Sequence, residues 1–256
     1  MTIEALLERY RESFAASPRA AFREWIHLQE ELNAAGRHDD ARLLADDLWS
    51  MAKTIPFESA ADRATFFHNL AVFLGSQGPA AHLDRALEAF EVPLGTWTAE
   101  AEPDDVSRAF HNRANALQNL GESLDALHEA VRMYERALVW RTAERRIARG
   151  VTLHNYAAAL RRLALLEPAS ALVHLARSER LLIEAIEIRQ GESLPEGEAL
   201  SWFHLGLTRE EAAKAGSPFG RAGAIEAFLR SASGYEVLGK TSEAEMARTL
   251  ADRSRF

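Results

Sequence analysis

His68-Asn69, His111-Asn112 and His154-Asn155 recur at intervals of 43 residues. An imidazole can ligate a metal, carry a proton or hydrogen-bond, and a carboxamide both donates and accepts, so a ladder of such pairs could do chemistry. Zinc requires ligating nitrogens at about 2.0–2.1 Å, whereas packed helices stand about 8–10 Å apart. Side chains from a whole series of helices therefore cannot share one ion. No His-x3-His pair and no carboxylate in a ligand pattern accompanies the ladder, so no metal site is expected. Catalysis lacks its usual frames: the chain has no glycine-rich phosphate loop, no Gly-x-Ser-x-Gly elbow and no His-Glu-x-x-His. The paired acids Asp39-Asp40, Asp46-Asp47 and Asp104-Asp105 read as helix starts or exposed faces. Arg132, Arg136, Arg141, Arg145, Arg146 and Arg149 form a basic run that could hold phosphate. The simpler reading is a solvated face paired with glutamates of adjacent turns.

The elements that must position these residues follow from the period, since a dipeptide returning at a fixed interval marks a repeat array. Leu28, Leu70, Arg113, Tyr156 and Leu205 are taken as one equivalent position, at intervals of 42, 43, 43 and 49 residues. Each unit has two helical halves. The first carries an apolar or small stripe on one face, such as Leu70, Ala71 and Leu74, or Tyr156, Ala157 and Leu160. A break follows at Gly36, Gly78, Gly121 and Gly216. The second half pairs a small residue with a larger one four positions on: Ala86/Phe90, Ala130/Tyr134, Ala224/Phe228, and more weakly Ala41/Ala45 and Ser178/Leu182.

Helices are thus expected over 2–16, then in pairs near 19–35 and 38–53, 58–75 and 80–91, 104–120 and 122–142, 145–166 and 169–189, and 196–215 and 218–238. A capping helix is expected over Ser242–Arg253, covering the last apolar face. Val92-Pro93-Leu94-Gly95-Thr96 reads as a loop or hinge without breaking the repeat phase. Trp25, Phe66, Phe67, Phe73, Tyr134, Trp140 and Trp202 read as packing, and Trp97, placed in that loop, as a candidate contact residue.

Composition agrees with a folded helical chain. Of the 256 residues 47% are hydrophobic and 27% charged, with only 14 Gly and 8 Pro. The net charge of −8 argues against non-specific nucleic-acid binding. Charge is uneven: residues 1–128 carry 11 basic and 21 acidic side chains, residues 129–256 carry 19 and 17. With no cysteine, disulfides and thiol chemistry are excluded, which fits a cytoplasmic location. The start lacks the basic and apolar blocks of a signal peptide, and nothing approaches the ~20 apolar residues of a membrane span.

Trp202-x2-Leu205-Gly206 followed by Ala224-x3-Phe228, and Asn112 to Leu117 followed by Ala130-x3-Tyr134-x2-Ala137, resemble the tetratricopeptide repeat. The usual unit is about 34 residues. The longer period, with His68-Asn69-Leu70-Ala71 in a first helix, is similar to the variety of about 42 residues in kinesin light chain and bacterial regulatory proteins. The resemblance covers roughly residues 20–240. It implies an all-α, right-handed α-solenoid of about five helix pairs in a single domain: an N-terminal helix over 1–18, the pairs over 19–240, and a capping helix over 241–256.

In resembling repeats the residue before the conserved Leu faces the concave side. Here that position reads His27, Asn69, Asn112, Asn155 and His204, and its neighbour reads Ile26, His68, His111, His154 and Phe203. Arg108, Asn115, Asn119, Arg161 and Arg162 fall on turns beside the same stripe, which would suit an acidic segment or a carboxylate. Lysine is missing from the positions of the family's carboxylate clamp, where Val151 and Leu200 stand. For Asn112 and Asn155, groove contact and packing between helices both stay open; for the histidines packing is the simpler reading. The implied function is a non-enzymatic scaffold binding a peptide or helix of a partner protein through Asn69, Arg108, His111, Asn112, Asn115, Asn119, Asn155, Arg161, Arg162 and His204, without cofactor. The alternative is a regulatory sensor whose curvature changes on binding a peptide.

Overall fold

The computed structural model describes residues 7–8, 11–13, 17–54, 56–77, 80–121, 123–218 and 220–255. It is all-helical, with no strand among the described residues. The helices are α1 (Pro18–Ala34), α2 (His38–Ala52), α3 (Ala60–Gln77), α4 (Ala80–Thr96), α5 (Pro103–Asn119), α6 (Leu124–Trp140), α7 (Arg146–Leu166), α8 (Ala171–Gly191), α9 (Pro195–Lys214), α10 (Gly220–Val237) and α11 (Thr241–Arg253). Most of the helix expected over 2–16, and Gly78, lie outside the described residues. Packing groups the chain into two compact units, residues 1–98 and 99–256.

The first unit holds two helix pairs. Ala41 and Ala45 of α2 are buried, which lets α1 approach closely enough for Gln29 Nε2 to donate to the Ala41 carbonyl at 2.8 Å and Trp25 Nε1 to that of Leu44 at 3.3 Å. Around this contact sits an aromatic core. Trp25 packs edge-on to Phe73 at 4.4 Å between ring centres, and Phe22 packs against Phe66 at 5.1 Å.

A correction concerns 92–96, expected as a loop: α4 runs through Pro93 to Thr96, and Trp97 N donates to the Pro93 carbonyl at 2.8 Å. Proline so near a helix end forfeits one backbone bond, and the burial of Phe90, Pro93 and Trp97 outweighs it. Trp97 is therefore no exposed loop residue; it is buried beside the His68 ring, 5.4 Å between centres.

In the second unit α5 to α11 pack each against its neighbours in sequence. The small/large pairs work as steric complements: Ala130, Tyr134, Ser178, Leu182, Ala224 and Phe228 are all buried. Gly206 completes one of them, since a Cβ there would fall 2.5 Å from the Phe228 ring. Left-handed glycines end first helices at Gly121 (φ 82°) and Gly216 (φ 97°), where a side chain would be strained. Along α11, Ala244, Ala247 and Ala251 bury the inner face, and Ala251 closes a cluster with Ala224 and Phe228.

Candidate binding face

Among the first members of the pairs in the second unit, α7 touches both α5 and α9 directly. Their contacts are polar. His111 on α5 is buried, with Nδ1 3.2 Å from Thr152 Oγ1 on α7 and Nε2 3.2 Å from Asn115 Nδ2. The Asn115 carbonyl oxygen already accepts from the Tyr134 hydroxyl at 2.6 Å and from Asn155 Nδ2 at 3.1 Å. Its amide nitrogen is thus the donor to His111 Nε2, and the neutral ring carries its proton on Nδ1. Thr152 then accepts from that Nδ1 and from Arg141, and donates to the Ala148 carbonyl at 3.0 Å.

The next repeat uses the same residue types with the opposite tautomer, since Arg189 donates to His154 Nδ1 at 3.3 Å. His154 Nδ1 lies 3.0 Å from Ser201 Oγ on α9, and Arg189 donates to Ser201 Oγ and to the Gly197 carbonyl. Arg141 and Arg189, each only 7% exposed, follow or close the second helix of their repeat and reach into the following first helix. The bonds found for them among the described residues go to neutral oxygens and an imidazole, not to a carboxylate. A buried guanidinium of this kind is tolerated only while its hydrogen bonds are made. Burial lowers its proton affinity, for Arg141 to about 10, so it stays charged at neutral pH.

The two cations also fix the histidines. Burial first, then Arg141, push His111 down to about 3. Burial, His204 and Arg189 push His154 down to about 2. His204, whose ring stands edge-on to His154 at 4.6 Å, is lowered to about 4 by burial, Arg161 and Arg189. All three are neutral imidazoles at physiological pH.

The remaining candidate residues divide by exposure. Asn115 and Asn155, half-buried, tie α5 to α7, and Gln118 Nε2 adds a bond to the Asn155 carbonyl at 3.2 Å. Arg162 donates to the Gln118 and Gly121 carbonyls, filling acceptors that the end of α5 would leave empty. Asn112 is half-buried, and Asn119 is exposed. Arg108 is exposed and paired with Asp105 at 2.6 Å. Arg161 is half-buried; its Nε has no acceptor among the described residues, and neither does Nδ1 of His204. Asn69 is exposed on α3 in the first unit. His111, Asn115, Asn155 and Arg162 are thus connected across α5 and α7, and Arg161 of α7 lies near His204 of α9; Asn112 and Asn119 are on α5.

Sequence reasoning missed Arg141, Arg189, Thr152, Ser201 and Tyr134 as parts of this network. A signal was present: Thr152 and Ser201 stand four residues before the equivalent position, Tyr156 or Leu205, and each arginine 15 or 16 before it. The rest of the arginine run is largely paired or stacked. Arg149 meets Glu184 at 2.7 Å, Arg146 meets Glu192 at 3.3 Å, and Arg136 lies 4.1 Å over the Phe110 ring. The described residues contain no cluster of His, Cys, Asp and Glu able to hold a metal, and no helix among them is long and apolar enough to cross a membrane.

No family model matches the chain, and no curated protein matches it. Among solved structures it is similar to the crystal structure of BtubC (BKLC) from P. vanneervenii, with a TM-score of 0.52 and 18% identity over 99% of this chain and 88% of that one. At such identity the likeness is one of fold: a helical repeat protein.

Proposed function

We propose that the helix pairs are tetratricopeptide-type repeats and that the chain is a non-enzymatic scaffold binding a peptide or helical segment of another protein. The observation that carries this is the wall made by α5, α7 and α9. It is lined with amides and guanidinium groups where a purely structural repeat could use apolar side chains. An extended peptide brings its own amides and carbonyls, which need partners when desolvated. Asn112, Asn119 and Arg161 are the residues of that wall proposed to touch a ligand, with Arg108 as a further contact. The buried His111 and the linked Asn115, Asn155 and Arg162 hold the wall in place, so little receptor order is lost on docking.

The test is selection of a displayed random dodecapeptide library on the purified chain, followed by fluorescence anisotropy of the enriched peptides. Asn112→Ala/Asn119→Ala serves as the comparison, with its fold checked by circular dichroism. The proposal expects enriched peptides whose affinity falls about tenfold in that variant, the loss of roughly one or two hydrogen bonds. Peptides binding both proteins equally would remove the face from the account.

A further inference from the structure

A cavity of about 360 Å³ lies between the end of α7, the start of α8 and the end of α9. Its lining is mainly aliphatic: Ala164, Leu165, Ala171, Leu172 and Leu175 contribute, with Glu211 and Lys214 among the lining residues. Three aliphatic side chains at its edge are turned to solvent, Leu165 (54% exposed), Leu172 (47%) and Val173 (71%). An exposed aliphatic cluster around a hollow is a surface built to be covered. The hollow is ample for one side chain, since an apolar cavity of about 150 Å³ already takes a benzene-sized guest.

The charge beside it is what defines the occupant. Arg161 is one helical turn from Ala164 and Leu165, hence on their face of α7. Glu211 lines the cavity and lies close enough to bear on Arg161, but it is held by Lys214 at 3.1 Å. The Nε of half-buried Arg161 is itself buried and lacks an acceptor among the described residues, so a ligand carboxylate would meet this guanidinium through its Nη groups.

We infer that this site takes one aliphatic side chain and one carboxylate of the same acidic peptide, the side chain entering the cavity and the carboxylate meeting Arg161. The inference rests on the peptide-binding reading above and names its ligand class. Because the two subsites are one helical turn apart, the acidic and aliphatic residues are adjacent in an extended ligand, or three to four apart in a helical one. The site lies apart from the lysine-deficient positions at Val151 and Leu200.

The experiment repeats the dodecapeptide selection on three proteins: wild type, Arg161→Gln, and Ala215→Trp, which plugs the cavity from its exposed edge. Circular dichroism melts confirm that each variant is folded. The expected result is an acidic–aliphatic pair in wild-type peptides, no acidic preference with Arg161→Gln, and no aliphatic preference with Ala215→Trp. In anisotropy, Glu→Gln in such a peptide should cost about tenfold on wild type and nothing on Arg161→Gln. Peptides enriched without the pair, or a pair that persists in both variants, would overturn this site while leaving peptide binding intact. No enrichment on wild type would remove both readings. Octanoate bound in an Arg161-dependent way, with no acidic–aliphatic peptide enriched, would show the ligand to be a small molecule and would also overturn the inference.

Discussion

His68 in the first unit and His111 in the second occupy the same position of successive repeats, 43 residues apart, and are both buried. Both rings stand edge-on to the large residue of their repeat's second helix, Phe90 for His68 and Tyr134 for His111, but the rest of their surroundings differs. His68 lies among rings, 5.9 Å from Phe90 and 5.4 Å from Trp97. His111 sits in a hydrogen-bonded chain from Arg141 through Thr152 to Asn115 and Tyr134, and His154 repeats much of it with Arg189 and Ser201. One repeat position thus serves an aromatic core in one unit and a polar seam in the other. Aromatic packing is tolerant in direction, whereas a hydrogen-bonded seam fixes the offset of one helix against the next. The unit with the seam is also the one whose first helices carry the candidate binding face.

Several measurements would break or sharpen this contrast. The largest effect is expected in the aromatic unit. Trp25 is fully buried, and Trp25→Ala should cost about 3–5 kcal/mol of unfolding free energy, read from urea denaturation. A loss under ~1 kcal/mol would mean that the aromatic cluster is not what holds that unit.

Thr152→Val comes next. It keeps the shape but removes the acceptor shared by Arg141 and His111, and should cost about 1–3 kcal/mol. A neutral outcome would make the seam incidental to stability.

Acid should separate the seam more gently. His111 and His154 are depressed to about 3 and about 2 in the fold, and unfolded histidine titrates near 6.5. Protons therefore bind the unfolded chain preferentially below about pH 6.5. The stability these neutral rings contribute is full above that pH and is lost as pH falls toward 3. Melting temperatures from pH 7 to pH 4 should drop, and less steeply in His111→Asn/His154→Asn. Buried His82 in the first unit, also lowered by burial, accounts for part of the remaining slope. Equal slopes in the two proteins would contradict the neutral-histidine assignment.

The smallest effect belongs to the surface. The Arg108–Asp105 pair has side chains 51% and 37% exposed, so Arg108→Ala should change stability by no more than about 0.5 kcal/mol. A larger loss in the same melts would show that Arg108 supports the seam, a role the contrast does not assign to it.

Much of the fold was legible because each repeat states its packing locally. The apolar stripes, the small/large pairs from Ala41/Ala45 to Ala224/Phe228, and the glycines at 36, 121 and 216 each mark an element or a close contact without reference to distant residues. Pro93 misled because a breaker in the last turn of a helix forfeits a single bond that neighbouring burial outweighs. The polar seam was harder to read. Its partners lie 41 residues apart for His111 and Thr152 but 47 for His154 and Ser201, since the repeat length drifts. Arg141 was hidden too, because a charged residue in a basic run reads as solvated until its burial is known. Among the candidate site residues, type and spacing indicated the wall but not which members are consumed within it. Asn115 and Asn155 look alike in sequence to Asn112, and their mutual bond at 3.1 Å is seen only in the fold.

The claim that matters most is that the wall of α5, α7 and α9 is where a ligand docks. Hydrogen–deuterium exchange of the chain, with and without a saturating dodecapeptide from the wild-type selection, tests it directly. The account predicts that added protection concentrates on these three helices, around Asn112, Asn119 and Arg161, with the second helices α6, α8 and α10 changing less. Protection confined to those second helices, or to the first unit, would contradict it.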